Sequence, residues 1–276
     1  MLRSISKIFR SFKSKTLVEP VIISPANNVF DQKKISSSAI KVVEKLRLSG
    51  YESYIVGGCV RDLLMGMKPK DFDVATNATP EQVRVLFSRS RIIGRRFQIV
   101  HVRVGSEMIE VTTFRAQHTE IKNELSKSQL SSKGMLLRDN IFGSIADDAV
   151  RRDFTMNALY YCPIENEITD YTKGLEDIDK RLIRIIGDPS QRYREDPVRM
   201  LRALRFIAKL GFSIEDQSSK AIDKSRSLLA DIPPARLFDE SLKLFMNGYA
   251  LASFTALRKY GVFEILFPDI EKALLC

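Results

Sequence analysis

Gly57-Gly58-Cys59-Val60-Arg61-Asp62 and, a few residues on, Asp71-Phe72-Asp73 are the most informative stretch of this chain. Side chains alternate faces along an extended strand, so the carboxylates of Asp71 and Asp73 project the same way, about 7 Å apart, while Phe72 faces the other side. The glycine pair lets the backbone approach an anion closely, and the helix that follows it presents unpaired N–H groups. Together they predict a metal-binding edge beside a phosphate-binding turn.

Working outward, Ser36 to Leu48 carries apolar residues at helical spacing and ends at Ser49-Gly50, which predicts a helix with a glycine stop. Tyr54 to Val56 reads as a strand running into the glycine pair. Val60 to Met65 reads as a short helix halted by Gly66 and Pro69, followed by the strand that carries Asp71 and Asp73. Thr79-Pro80-Glu81 has the form of a helix start, a hydroxyl cap before a proline in the first turn. Residues 98–104 and 107–114 alternate as paired strands around Gly105-Ser106, which puts Glu110 on a strand. His118 to Asp139 is polar and rich in Ser and Lys, a loop by composition. Strands are expected near 159–161 and 168–170, and from Pro197 onward the periods are helical, with a domain change near Gly187-Asp188-Pro189.

Composition sets the frame for the chemistry. The 276 residues carry 44 Lys and Arg against 34 Asp and Glu, a net charge of +10, which favours a polyanionic partner such as nucleic acid or an anionic membrane surface. Cys59, Cys162 and Cys276 are few and scattered, and His101 and His118 form no ligand pattern with them, so a reduced, cytoplasmic setting without zinc is expected. No apolar run is long enough to span a bilayer. Residues 1–18 hold Arg3, Lys7, Arg10, Lys13 and Lys15 and no acid, with Leu2, Ile5, Ile8, Phe9 and Phe12 among them. Three readings are open for this segment. It is an unstructured basic extension, a short amphipathic helix touching RNA phosphate or the inner membrane surface, or an organelle transit segment.

A third carboxylate from a neighbouring strand would let Asp71 and Asp73 hold two divalent cations, and hard oxygen donors suit Mg²⁺. Glu110 is the choice for that third ligand; on spacing alone, a strand-end carboxylate paired with Lys or Arg is the stronger reading of it. Arg61 is placed to reach a phosphate, and Asp62 to hold Arg61 or cap the turn.

These residues resemble the polymerase-β-like nucleotidyltransferases of the bacterial class, which comprise poly(A) polymerases and tRNA CCA-adding enzymes. The likeness runs from about Tyr51 to Pro268. The glycine turn with Asp71-Phe72-Asp73-Val74-Ala75-Thr76 looks like the family's first motif, and the family's third carboxylate falls on Glu110. Arg151-Arg152-Asp153-Phe154-Thr155-Met156-Asn157-Ala158-Leu159 resembles the second motif, implying that Gly57, Gly58, Arg61, Arg151, Arg152, Asp153 and Asn157 bind nucleotide. Asp170-Tyr171 through Gly174-Leu175-Glu176-Asp177 to Arg184 is similar to the third, a hinge between head and neck.

Glu195-Asp196-Pro197-Val198-Arg199 resembles the fourth motif, in which an Asp and an Arg read the edge of the incoming base. Arg offers only donors and Asp only acceptors, so the pair can match a base edge. Read without the family, Asp196 is a helix cap and Glu195 with Arg199 an ion pair. Arg202 and Arg205 extend the same basic face toward phosphate or RNA.

The resemblance implies an α+β chain in three parts: a basic N-terminal extension over 1–36, a nucleotidyltransferase head with a small mixed sheet over 37–187, and an all-helical neck with the start of an RNA-binding body over 188–276. It implies transfer of AMP from ATP to RNA 3′ ends with two Mg²⁺ and release of pyrophosphate, in RNA polyadenylation and turnover. Ile92-Ile93-Gly94-Arg95-Arg96-Phe97-Gln98-Ile99-Val100-His101-Val102 looks like the poly(A) branch, with Arg95 and Arg96 toward triphosphate or RNA backbone. Leu136 to Ile141 and Ile232 to Glu240 lean the same way. A CCA-adding enzyme and a catalytically weak RNA-binding protein are the alternatives. The chain stops at Cys276, just after Phe267-Pro268, where the family continues, so a shortened body with apolar surface at 273–276 is expected.

Overall fold

The computed structural model describes residues 19–23, 31–94, 98–116, 129–130, 136–138 and 142–275. After β1 (Val21–Ile23), the Ser36 hydroxyl caps α1 (Ser37–Leu48) by accepting from the amides of Ser38 at 3.1 Å and Ala39 at 3.2 Å. The helix buries Ala39, Val42, Val43 and Leu46, one stripe at the spacing of helical turns. Then come β2 (Ser53–Val56), α2 (Gly58–Leu64), β3 (Asp73–Thr76) and α3 (Pro80–Leu86), the last opened by the Thr79–Gln82 capping box with Pro80 in its first turn. The strands β4 (Ser90–Ile93), β5 (Ile99–Val104) and β6 (Glu107–Thr113) form a meander, turning at Gly105-Ser106 as expected.

A small ribbon, β7 (Gln129–Leu130) with β8 (Leu136–Arg138), lies within the stretch expected to be loop; the rest of 118–139 falls outside the described residues. Next are α4 (Ile145–Arg151), β9 (Leu159–Cys162), β10 (Glu167–Asp170), α5 (Gly174–Asp179) and β11 (Leu182–Ile183). Helices dominate from there: α6 (Pro189–Glu195), α7 (Val198–Leu210), a short β12 (Ser213–Ile214), α8 (Asp216–Ser225), α9 (Pro234–Phe245), α10 (Ala250–Lys259), α11 (Phe263–Leu266) and α12 (Pro268–Leu275).

The main sheet has the order β1-β10-β9-β2-β3-β6-β5-β4, with β3 and β6 parallel and every other neighbouring pair antiparallel. One face packs on α1 through Val74, Val100, Val102, Ile109 and Val111. A second core joins Phe154, Met156, Ile183 and Ile185 from the sheet-bearing part to Met200, Leu201 and Leu204 of α7, so the helical part is seated against the segment after α4.

Two expectations are corrected. Val21–Ile23, assigned above to the basic extension, pairs with β10 as an edge strand. It is three residues long with Val21 58% and Ile22 56% exposed, so it shows no alternation to read. And β3 begins at Asp73, leaving Asp71 two residues ahead of the strand rather than on it. The readings of residues 1–18 lie outside the described residues, as do Arg95 and Arg96. Among the described residues no helix is long and apolar enough to cross a membrane. Leu274 and Leu275 of α12 lie open, and α9, α11 and α12 frame a groove lined by Leu237, Phe238, Phe245 and Phe267.

Candidate active site

β2 runs out at Val56 into Gly57, whose φ of 88° and ψ of −139° suit glycine alone. A Cβ placed there would meet Arg152 Nη1 at 3.6 Å, Asp73 Oδ2 at 3.9 Å and the Asn157 carbonyl at 4.0 Å. The turn, a carboxylate and a guanidinium from three separate segments therefore converge on one small space.

Register brings the acids together. Val56 pairs with Asp73, Asp73 with Glu110 across the parallel β3–β6 ladder, and Glu110 with His101 on β5, whose Nε2 lies 3.3 Å from Glu110 Oε1. Partners in register share a face, so Asp73 and Glu110 stand side by side. Burial pushes the Asp73 carboxyl up to about 6, the Glu110 and Asp71 charges add to this, and Arg152 opposes it. A half-buried acid flanked by two exposed acids is a donor set that a hard divalent cation would relieve, and its all-oxygen chemistry fits Mg²⁺. Among the described residues no three His, Cys, Asp or Glu side chains stand close enough to grip an ion as they are.

Arg152 is clamped from behind. Its Nε donates to Asp148 Oδ2 and to Tyr160 Oη, each at 3.0 Å, and Tyr160 Oη donates in turn to Asp148 Oδ2 at 2.7 Å. Burial would raise the Asp148 pKa, but the charges of Arg152 and Arg151 outweigh it and hold the carboxylate ionised. Arg151 also pairs with Asp148, at 3.3 Å. Asp148 and Tyr160 escaped the sequence reading. Asp148 precedes Arg151 and Arg152 by three and four residues, the spacing of helical ion pairs, which was the available signal. Tyr160 gave none within an apolar strand.

Arg61, expected to reach a phosphate, is buried, with Nε donating to Asp62 Oδ1 at 2.8 Å and Nη1 to Asn157 Oδ1 at 2.6 Å. It braces the glycine turn against the second-motif segment, and Asp62 also holds Lys209 of α7 at 3.2 Å. Asp153 accepts from Arg202 Nε at 2.7 Å and from Asn157 Nδ2 at 3.3 Å. Burial would raise its pKa; the Arg202 charge and hydrogen bond, with the Phe154 amide and Asn157, hold it down at about 2. Arg205 lies 5.1 Å from the Phe206 ring, and its buried Nε has no hydrogen-bond partner among the described residues. Gly174 starts α5 where a Cβ would come within 2.3 Å of the Thr155 carbonyl, so the third-motif segment packs directly on the second.

Asp196 and Arg199 sit where α6 passes into α7. Arg199 Nη1 donates to the Arg192 carbonyl at 2.8 Å and to Glu195 Oε2 at 3.2 Å, and Asp196 Oδ2 accepts from Arg236 Nη2 at 2.8 Å. Buried Arg192 pairs with Glu195 at 2.8 Å and donates to the carbonyls of Arg151 and Arg152, tying this helical junction to the Arg152 segment. Arg192 and Arg236 were not singled out from sequence, although Arg236 lies in the Ile232–Glu240 stretch already noted.

Comparison with known proteins agrees with this geometry. Residues 53–184 match the poly A polymerase head domain, and residues 211–274 match a probable RNA and SrmB-binding site of polymerase A. Poly(A) polymerase I of Haemophilus influenzae is 53% identical over 251 residues, covering 91% of this chain and 55% of the relative. A CCA-adding enzyme of Bacillus pumilus is 35% identical, covering 85% of this chain and 56% of the relative. The crystal structure of the Bacillus stearothermophilus CCA-adding enzyme in complex with CTP superposes with a TM-score of 0.69 at 34% identity, over 82% of this chain and 52% of that one. The chain thus spans about half the length of the relatives it matches. With the carboxylates in register beside a glycine turn and a clamped arginine, and with these likenesses, the chain belongs to the polymerase-β-like nucleotidyltransferase family that joins poly(A) polymerases with CCA-adding enzymes.

Proposed function

We propose that the chain adds AMP from ATP to RNA 3′ ends, releasing pyrophosphate, as a polynucleotide adenylyltransferase in RNA polyadenylation. The observation that carries this is the convergence of Gly57, Asp73 and Arg152 on one space, with Glu110 in register beside Asp73. Asp71, Asp73 and Glu110 would hold two Mg²⁺ ions, which when bound lower the pKa of the attacking hydroxyl and neutralise charge on the triphosphate and the leaving pyrophosphate.

The chain's own groups do the rest. Gly57 leaves room for a phosphate to approach the backbone. Arg152, fixed by Asp148 and Tyr160, supplies a guanidinium whose orientation is set before substrate arrives, so little reorganisation is needed. Arg61, Asp153 and Asn157 hold the segments that carry these groups in mutual position. Asp196 and Arg199 offer adenine an acceptor and a donor from a junction braced by Arg192 and Arg236. The choice of poly(A) over CCA addition is supported by 53% identity to poly(A) polymerase I against 35% to a CCA-adding enzyme. The test is incubation with a tRNA lacking its 3′ end and each nucleotide separately. Long tails from ATP alone are expected; ordered addition of CTP, then ATP, then a stop would overturn the poly(A) assignment.

A further inference from the structure

The sheet face that carries Asp73 and Glu110 continues past them, and what it carries is basic. Val100, Val102, Ile109 and Val111 point into the core. Strand alternation therefore puts Met108 and Glu110 of β6, His101 and Arg103 of β5, and Arg91 of β4 on the opposite, outer face. Register lines up Asp73, Glu110, His101 and Arg91 in one row across four strands. The next row holds Met108, Arg103 and Arg89, the last placed opposite Arg103 by the Arg103 amide donating to the Arg89 carbonyl at 2.9 Å.

Arg89, Arg91 and Arg103 are exposed, and among the described residues none has an ion pair or a side-chain hydrogen bond. The acid in this block, Glu110, faces His101. Like charges set directly opposite each other, as Arg89 and Arg103 are, destabilise a sheet. A polyanion laid across the face would relieve that repulsion. With about 4.8 Å between strands, Arg91 lies about 10 Å from Glu110, a distance that one or two nucleotides span from the reacting end.

We infer that the outer face of β4, β5 and β6 is the track for the backbone of the acceptor RNA, with Arg89, Arg91 and Arg103 meeting its phosphates as the 3′ end reaches Glu110. This rests on the RNA reading proposed above and adds the surface along which the RNA enters.

The test is binding of fluorescently labelled single-stranded oligo(A) to the full chain without ATP, by anisotropy over a range of salt. The Arg89→Gln/Arg91→Gln/Arg103→Gln variant is compared with wild type and with the charge-keeping Lys triple. The Gln triple is expected to weaken RNA binding about tenfold and to flatten the log–log salt dependence by about 2, since each single-strand phosphate contact contributes about 0.7. The Lys triple should bind nearly as wild type, and KM for ATP should be unchanged in both. Unchanged RNA binding by the Gln triple overturns the inference. So does a rise in the ATP KM in proportion to the loss of RNA affinity, which would give the face to the triphosphate, or loss of binding to phosphatidylserine vesicles alone, which would give it to lipid. Wild type that binds oligo(A) through this face yet incorporates no AMP sinks the proposed activity and leaves the track standing; wild type that binds no RNA overturns both.

Discussion

Arg236 of α9 donates to the Asp196 carboxylate across 2.8 Å, joining the Ile232–Glu240 segment to the residue proposed to read the base. The bond occupies Oδ2, while Oδ1 accepts from the Val198 amide at 3.3 Å, so the plane of the carboxylate is set by both. Releasing it by Arg236→Ala removes a charge-assisted bond that is about a third exposed, and so costs about 1 kcal/mol in nucleotide recognition, roughly fivefold. The expected result is a higher KM for ATP and weaker discrimination against GTP, with kcat little changed, measured by steady-state extension of oligo(A).

The clamp behind Arg152 predicts a second outcome. Tyr160→Phe deletes the hydroxyl that donates to Asp148 and accepts from Arg152, at a cost of about 1 to 2 kcal/mol in urea unfolding, because two charged groups lose a buried partner. Asp148→Asn should cost more, about 2 to 3 kcal/mol, since it strips the buried counter-charge from two partly buried arginines. Both should raise KM for ATP, and Tyr160→Phe should do so while still folding cooperatively.

Opposite pKa shifts at two acids give opposite pH signatures. Asp153 is held at about 2, below its ordinary 3.8, so its contribution is present above pH 3.8 and is lost as pH falls toward 2; it amounts to about 2 kcal/mol. Asp153→Asn should remove that part of the acid transition in denaturant titrations. Asp73 is raised to about 6, so its contribution is present below pH 3.8 and is lost as pH rises through 6. In the absence of Mg²⁺, Asp73→Asn should therefore raise Tm at pH 8 relative to wild type, and added Mg²⁺ should raise the wild-type Tm more at pH 8 than at pH 5.

How far the sequence reached is clearest at individual residues. The Gly105-Ser106 hairpin, the Thr79 helix start and the strand position of Glu110 were all legible, because each rests on short-range periodicity or turn chemistry. That Asp73 and Glu110 are direct neighbours needs a parallel register, which alternation within either strand does not contain. Asp62 as the residue that holds Arg61 was legible from their adjacency, but the bond of Arg61 to Asn157 and the burial that goes with it were not, because Asn157 lies on another segment. Edge strand β1 was missed because a short exposed strand has no inner and outer face to pattern.

The central claim is that the carboxylates gathered beside the Gly57 turn carry nucleotidyl transfer. Its most direct test is extension of an RNA 3′ end by radiolabelled ATP with the Asp71→Asn/Asp73→Asn variant, after circular dichroism has shown the fold intact. Incorporation is expected to fall to background at every Mg²⁺ concentration, with oligo(A) binding retained; incorporation at a rate near that of wild type would remove these carboxylates from the reaction.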